Sequence, residues 1–278
     1  MYLDYWQLAA KPFEPADAVD EFYYAGEAHE GALSKLLYSV QQGRSAAALA
    51  GPSGVGKTLI VQRLAKQLEK AVGTSIKVTH IVFPEMSSRD LLAYLTERLA
   101  APAVSDKPTG AIEESVRRLE ALGEANAASG TRQLVVIDEA HLLEDCGALE
   151  TLRLLTNFRS GSAAAFTLLL VGQMGLLSAV ARKPTLDERL DVKTLLRSFT
   201  AEETKAYVRH RLATAGAARD LFTAEAIDQL FALTGGYARK IDRLGDLALV
   251  VGFANQRPEI GAAELDSVHR ELVAVGTP

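Results

Sequence analysis

The 278 residues are 48% hydrophobic and carry 30 Lys and Arg against 35 Asp and Glu, a formal charge of −5. That length supports a full core in one large domain, or in one large and one small, and the mild acidity excludes a global pull toward nucleic acid or anionic membrane while leaving room for a local basic face. One cysteine, Cys146, excludes an intrachain disulfide and a cysteine-based zinc site and reads as a reducing cytosol; no run of about eighteen apolar residues predicts a membrane span, and Met1–Trp6 lacks the basic and apolar regions of a signal peptide.

The chain opens on an aromatic-rich strap, residues 1–28, with Tyr2, Tyr5, Trp6, Phe13, Phe22, Tyr23 and Tyr24. Pro12 and Pro15 argue against one long helix. The strap either packs its aromatics on the core or covers a nucleotide base, and both readings stay open. Leu33, Leu36, Leu37 and Val40 then predict a helix, closed by Gln41-Gln42-Gly43-Arg44. Ser45 to Ala50 are small and apolar, as a buried strand is. Val61, Leu64, Ala65 and Leu68 predict the next helix.

Between that strand and that helix lies Gly51-Pro52-Ser53-Gly54-Val55-Gly56-Lys57-Thr58, with the spacing G-x-x-x-x-G-K-T of a phosphate-binding loop. The chemistry needs those residue types. Glycines let the backbone wrap a phosphate, because they lack Cβ and tolerate φ > 0. The loop N–H groups and the helix N-terminus present positive potential to the anion. Lys57 reaches the β- and γ-phosphates, and the Thr58 hydroxyl ligates Mg²⁺. The expected nucleotide contacts run from Gly51 through Thr58 to Leu59.

Ile76 to Val82 is β-branched and partly alternating, a strand. Ser87-Ser88 precedes a helix bearing Leu91, Leu92, Leu95 and Leu99. Ala101 to Gly110 holds two prolines and a glycine and reads as a loop. Ile112, Val116 and Leu119 place a further helix ending near Ser129-Gly130. Leu134-Val135-Val136-Ile137 forms a buried strand, and Asp138 and Glu139 leave its C-terminal end, the edge at which open parallel sheets bind ligands. Asp138 is expected to hold Mg²⁺, directly or through water, and Glu139 to orient and activate the attacking water. His141 reads as a hydrogen-bonded structural group.

Leu149, Leu152 and Leu155 mark another helix. Phe166 to Val171 is a second continuous apolar strand, so Gln173 is expected at the same sheet edge as Asp138. Leu190 to Leu196 supplies a last strand, after Asp187-Glu188-Arg189. From Thr200 the pattern is helical only. Thr200-Ala201-Glu202-Glu203 is a capping box, Thr223 caps a helix bearing Ile227, Leu230 and Phe231, and Thr234-Gly235-Gly236 breaks the chain. Ile241, Leu244, Ala248 and Val251 build a long helix, and Leu265, Val268 and Leu272 the last. The boundary falls near residue 198, giving a strap plus α/β domain over 1–198 and a helical domain over 199–278.

An α/β phosphate-loop domain followed by a small helical lid resembles the AAA+ ATPases. Gly51 to Thr58 look like Walker A, and Leu134 to Glu139 like Walker B. Gln173 stands at the sensor 1 position. Gly235-Gly236-Tyr237-Ala238-Arg239-Lys240-Ile241-Asp242 looks like sensor 2, with Ala238 and Asp242 where that family commonly has Pro and Asn. The resemblance is closer still to the general secretion pathway protein A (ExeA-like) ATPases. Their pattern is similar to Tyr5-Trp6-Gln7-Leu8, Lys11-Pro12-Phe13, Phe22-Tyr23-Tyr24, His29-Glu30, Asp138-Glu139-Ala140-His141, Leu152 to Asn157 and Leu170 to Gln173.

The resemblance implies ATP as nucleotide, Mg²⁺, Arg239 on the phosphates, and an ATP-stabilised homo-oligomer in which a neighbour supplies an arginine. Arg189 is the candidate, with Arg182 its rival; the alternative reading of Arg189 is a structural surface pair with Glu188 in the free subunit. The implied role is a cytoplasmic ATP-hydrolysing switch that assembles a secretion or envelope complex with a protein partner. ATP-dependent DNA regulators of the transposition type share the same ATPase pattern and form the alternative. A scaffold without turnover fits less well, since Lys57, Thr58, Asp138 and Glu139 are all present. Full-length members of the secretion family often carry a membrane span and a peptidoglycan-binding part after the ATPase; neither is expected within these 278 residues.

Overall fold

The computed structural model describes residues 1–14, 21–70, 75–82, 85–99, 111–144, 147–160 and 163–275. The elements in order are α1 (Tyr2–Trp6), α2 (Glu27–Gln41), β1 (Ala46–Ala50), α3 (Lys57–Lys70), β2 (Ser75–Ile81), α4 (Ser88–Leu99), α5 (Ile112–Ala128) and β3 (Thr131–Ile137). A 3₁₀ turn at Ala140–Leu143 leads to α6 (Ala148–Leu155), β4 (Arg159–Ser160), β5 (Ala163–Ala164), β6 (Phe166–Gly172), α7 (Gly175–Ala181), α8 (Pro184–Asp187) and β7 (Leu190–Leu195). Four helices complete the chain: α9 (Ala201–Thr214), α10 (Ala224–Thr234), α11 (Ala238–Ala254) and α12 (Ala262–Val275). The loop expected over 101–110, Cys146 and Pro15 lie outside the described residues.

One compact unit comprises Gly31–Pro52 and Ile60–Leu196. Its sheet runs β2-β3-β6-β1-β7, and every neighbouring pair is parallel. Burial explains the sequence pattern strand by strand. The interior strands β1 and β6 are buried at every position, as a parallel strand covered on both faces must be, so their sequences are near-continuous apolar runs, with Thr167 of β6 donating its hydroxyl to the Arg44 carbonyl. The edge strand β7 instead alternates buried and exposed positions. The strand that feeds the phosphate loop, β1, is four alanines and Leu49, all buried. Leu91, Leu95, Leu119, Ile137, Leu149, Leu152, Leu168 and Leu170 belong to one core around this sheet. Register then collects the functional strand ends. Ile137 pairs with Leu170 and Ala50 pairs with Gly172, so Gly51, Asp138 and Gln173 all leave the sheet at its C-terminal edge. Gly51 N–H donates to the Gly172 carbonyl at 3.2 Å. The β4–β5 hairpin, with Arg159 opposite Ala164, was not expected from the sequence.

The second unit comprises Met1–Glu30, Ser53–Leu59 and the chain from Arg197 onward. Its helices begin where the caps predict. The Thr200 side chain accepts from Glu203 N–H in a complete capping box, and Thr223 accepts from Ala226 N–H. Gly235 ends α10 in the left-handed region, φ 62°. Part of the strap packs on the core. Trp6, Phe13 and Phe22 join the core of this unit, and Trp6 Nε1–H donates to the Leu249 carbonyl at 2.9 Å. Two glycines on one face of α11 make room for them. A Cβ on Gly245 would lie 2.8 Å from the Phe13 ring, and one on Gly252 would lie 3.0 Å from Trp6.

A buried polar network fixes the same strap. Arg211 is 6% exposed. Its Nε donates to the Pro12 carbonyl, its Nη2 to the Glu14 carbonyl at 2.9 Å and its Nη1 to Tyr207 Oη at 3.2 Å. Tyr207 Oη–H passes the chain on to Asp242 Oδ1 at 2.6 Å. Burial pushes the Asp242 carboxyl up to about 6, against the opposing pull of Arg211 and the Tyr207 hydrogen bond. Burial and the neighbouring Asp242 charge hold the Tyr207 hydroxyl well above its ordinary range, so it stays a donor.

Candidate nucleotide site

The phosphate loop turns through two left-handed glycines, Gly54 at φ 80° and Gly56 at φ 103°. Only glycine takes those angles without strain. Both also lack room for a side chain: a Cβ on Gly54 would sit 3.1 Å from Arg239 Cβ, and one on Gly56 would sit 3.1 Å from His29 Nε2. Lys57 is the first residue of α3 and is 9% exposed. Thr58, next on the helix, is exposed. A loop of successive N–H groups ending at a helix N-terminus, with a lysine and a hydroxyl, fits a nucleotide phosphate and its magnesium. Among the described residues no group of three or more His, Cys, Asp or Glu could hold a metal alone.

Arg239 lies beside this loop through its backbone and Cβ. Its N–H donates to the Gly54 carbonyl at 3.1 Å, while its residue stays exposed. Gly236 sets up that approach. Phe199, distant in sequence, donates N–H to the Gly236 carbonyl at 2.9 Å, and a Cβ on Gly236 would collide with the Phe199 carbonyl oxygen. His29 is a contact that sequence reasoning quoted without a role. It is 3% exposed, its ring packs 5.0 Å from that of Phe199, and its Nε2 lies 2.9 Å from the Val55 carbonyl. A carbonyl only accepts, so Nε2 carries the proton. Burial holds this imidazole below its usual range, against the Val55 hydrogen bond and Glu203, so it is the neutral form that braces the loop.

At the sheet edge, Asp138 Oδ1 accepts from Glu139 N–H at 2.9 Å. Asp138 Oδ2 lies 3.8 Å from His80 Nε2. Glu139 is left-handed, φ 49° and ψ 34°, a conformation that costs a side-chain-bearing residue energy and concentrates at functional sites. Its side chain keeps 45% of its surface exposed, with Oε2 3.3 Å from His141 Nδ1. Gln173 is exposed just past β6, and its N–H lies 3.5 Å from the same His141 nitrogen. Asp138, Glu139 and Gln173 are thus gathered at one edge. Among the described residues Arg189 has neither Glu188 nor another carboxylate as its partner: its Nη2 donates to Asn157 Oδ1 at 3.0 Å. Arg182 is committed to Glu144 through both carboxylate oxygens at 2.6 Å.

Comparison with known proteins agrees with this geometry. The description of the AAA domain family matches residues 40–180, half of the chain. The chain belongs to the AAA domain family. General secretion pathway protein A of Aeromonas hydrophila is 33% identical to this AAA protein over 99% of its length and 49% of the relative's. The chain therefore spans about half of that curated relative. The Aeropyrum pernix ORC2 protein, solved as ADPNP–ADP complexes, superposes with a TM-score of 0.70 at 18% identity, covering 94% of this chain and 71% of that one. The Aeropyrum pernix ORC1 protein in complex with DNA gives 0.68 at 18%, covering 94% and 68%. The Thermotoga maritima RuvB Holliday junction branch migration motor gives 0.60 at 21%, covering 94% and 73%. These structures share the fold: a parallel-sheet phosphate-loop domain with a helical C-terminal portion.

Proposed function

We propose that this AAA protein binds ATP with Mg²⁺, hydrolyses it to ADP and phosphate, and uses the cycle to assemble a larger complex of the cell envelope or secretion apparatus. The observation that carries the reading is the glycine-turned loop, Gly54 at φ 80° and Gly56 at φ 103°, running into a helix that starts at Lys57. Lys57 faces the β- and γ-phosphates, and Gly51 to Leu59 supply the cradle. Thr58 and Asp138 would hold the magnesium, which, when bound, offsets phosphate charge. Glu139 takes the proton of the attacking water. Gln173 contacts the γ-phosphate or that water, and Arg239 reaches the phosphates with a planar fork suited to them.

Residues 1–198 serve as strap plus ATPase domain, and 199–278 as a helical lid. Copies of the chain associate in the cytoplasm around ATP, each lending Arg189 to its neighbour's nucleotide. The Asn157 hydrogen bond is a neutral, exposed contact that a phosphate can outbid. Arg182 is the weaker candidate because its Glu144 pair is bidentate. The 33% identity to general secretion pathway protein A supports the envelope role.

The second reading is an ATP-dependent DNA-binding regulator of the transposition type, and the fold shared with an ORC1–DNA complex favours it. ATP hydrolysis measured against added macromolecules separates the two. Envelope-protein stimulation without DNA binding supports the first. DNA binding that needs ATP and weakens steeply with salt, together with DNA-stimulated turnover, supports the second. No ATP binding at all rejects both.

A further inference from the structure

We propose that His141 is a positioning residue that couples the water-activating carboxylate of Glu139 to the Gln173 end of β6. The inference rests on the hydrolytic reading above for its consequence in turnover, and on geometry alone for the coupling itself.

His141 is the second residue of the 3₁₀ turn that follows Glu139. The turn lies directly on Gly172, the last residue of β6. A Cβ built on Gly172 would be 3.2 Å from the His141 backbone nitrogen, 3.3 Å from its Nδ1 and 3.2 Å from Leu176 Cδ2. Gly172 is not in the positive-φ region. The glycine is therefore there for close approach and not for backbone freedom. Seating the turn on bare backbone brings one ring nitrogen between two groups of the site. Nδ1 is 3.3 Å from Glu139 Oε2 and 3.5 Å from the Gln173 backbone nitrogen.

One imidazole nitrogen cannot satisfy both. Gln173 N–H is a donor and needs a lone pair on Nδ1; the Glu139 carboxylate is an acceptor and needs a proton there. The two hydrogen bonds are mutually exclusive, and a shift between ring tautomers exchanges them. Neither distance is that of a fully formed bond, as expected of an atom placed to serve either. Among the described residues Glu139 Oε2 is buried and has no hydrogen-bond partner, and His141 Nδ1 lies within reach to hold this carboxylate in place. When the carboxylate swings onto the water, the Nδ1 lone pair becomes available to Gln173 N–H and pins the strand end from which the Gln173 side chain projects. Readiness of the base and placement of Gln173 are then one event.

Three variants separate this from a packing role. In His141→Asn an amide atom takes the place of Nδ1, in His141→Gln it takes the place of Nε2, and His141→Ala has neither. With Mg²⁺ and a non-hydrolysable ATP analogue bound, the state in which Nδ1 turns to Gln173, the ¹H–¹⁵N resonance of the Gln173 amide should shift and its exchange protection fall in His141→Ala, and recover in His141→Asn. In turnover, His141→Ala should lose roughly tenfold to a hundredfold in kcat, the worth of a hydrogen bond to a charged group. KM for ATP should stay within about twofold, because the contact is to the base and not to the nucleotide. Asn should restore most of kcat and Gln should not.

An unchanged Gln173 resonance in His141→Ala, or equal rescue by Asn and Gln, overturns the proposal. Should the alanine variant fail to fold, the Asn–Gln contrast decides. A wild-type protein that binds ATP without turning it over defeats the hydrolytic reading instead, and the Gln173 resonance still tests the coupling.

Discussion

The sheet unit and the helical unit bury themselves by opposite means. Around the sheet, the core is mainly aliphatic and β6 is buried along its whole length, and Asp138, Glu139 and Gln173 sit just past the strand ends. In the helical unit, charge goes inside: Arg211 is buried and bonded to two strap carbonyls and, through Tyr207, to Asp242. Strand-end chemistry needs only a rigid edge, because parallel pairing aligns Gly51, Asp138 and Gln173 without further help. A strap with little regular structure needs each of its carbonyls answered, since a buried unpaired backbone group is costly. The first kind of site should therefore lose function when altered and keep its stability; the second should do the reverse.

The largest effect belongs to the sheet edge. Glu139→Gln preserves shape and the Asp138 contact, which uses Glu139 N–H. Turnover should fall about 10²–10⁴-fold, the contribution of a general base, with ATP affinity and unfolding midpoint unchanged. Normal turnover removes Glu139 from the chemistry, and a large drop in stability would erase the contrast between the units. Lys57→Ala should abolish or severely weaken binding of labelled ATP.

Trp6→Ala probes the other side. The indole is 2% exposed, bonded to Leu249 and seated against Gly252. Its loss should cost about 3–5 kcal/mol, the range for large aromatic truncations in a core, read by denaturant unfolding followed by circular dichroism. A cost below about 1 kcal/mol, the level of an exposed residue, would mean that the strap does not anchor this unit.

This asymmetry also governs what could be read in advance. The phosphate loop, Asp138, Glu139 and both apolar strands were legible because each signal is local: a motif, a continuous run, a polar residue at its end. So were the caps at Thr200 and Thr223. The strap's aromatics were ambiguous, because what decides their role lies far along the chain: Trp6 meets Leu249, and Arg211 meets Pro12. His29 gave no usable signal and His141 only that of a hydrogen-bonded structural group, for their partners are single atoms: a loop carbonyl for one, a carboxylate and a strand-end N–H for the other. The β4–β5 hairpin pairs only two residues on each strand, too short for an alternating pattern.

Asp242 sharpens the contrast through pH. Its carboxyl is pushed up to about 6 in the fold from 3.8. The native state thus keeps its proton where the unfolded chain has released it, and the stability contributed by that proton is present below about 4 and lost as pH rises through about 6. Asn keeps an acceptor for Tyr207 and does not titrate. The stability of Asp242→Asn relative to wild type should rise between pH 4 and 7, by up to about 3 kcal/mol for a shift of this size. Denaturant unfolding at several pH values checks it; curves parallel across that window would show that Asp242 is not the buried acid of the network.

The smallest effect should come from the cap that the sequence announces most plainly. Thr200 Oγ1 accepts from Glu203 N–H at 3.2 Å, and Thr200 N–H donates to Glu203 Oε2 at 2.8 Å. Thr200→Ala removes only the first bond, because the second uses backbone. Glu203 is also held by Arg197, at 2.5 Å and 3.1 Å; although burial pushes its carboxyl up, Arg197 and the Thr200 N–H outweigh it and draw it below its ordinary range. The carboxylate therefore stays in place without the hydroxyl. Thr200→Ala should cost about 0.5–1 kcal/mol, the low side of N-cap losses, and Thr200→Ser should cost almost nothing. A loss equal to that of Trp6→Ala would mean that α9 depends on its own cap as much as on the strap packed against it, and the division between locally legible and distantly anchored structure would fail within this unit.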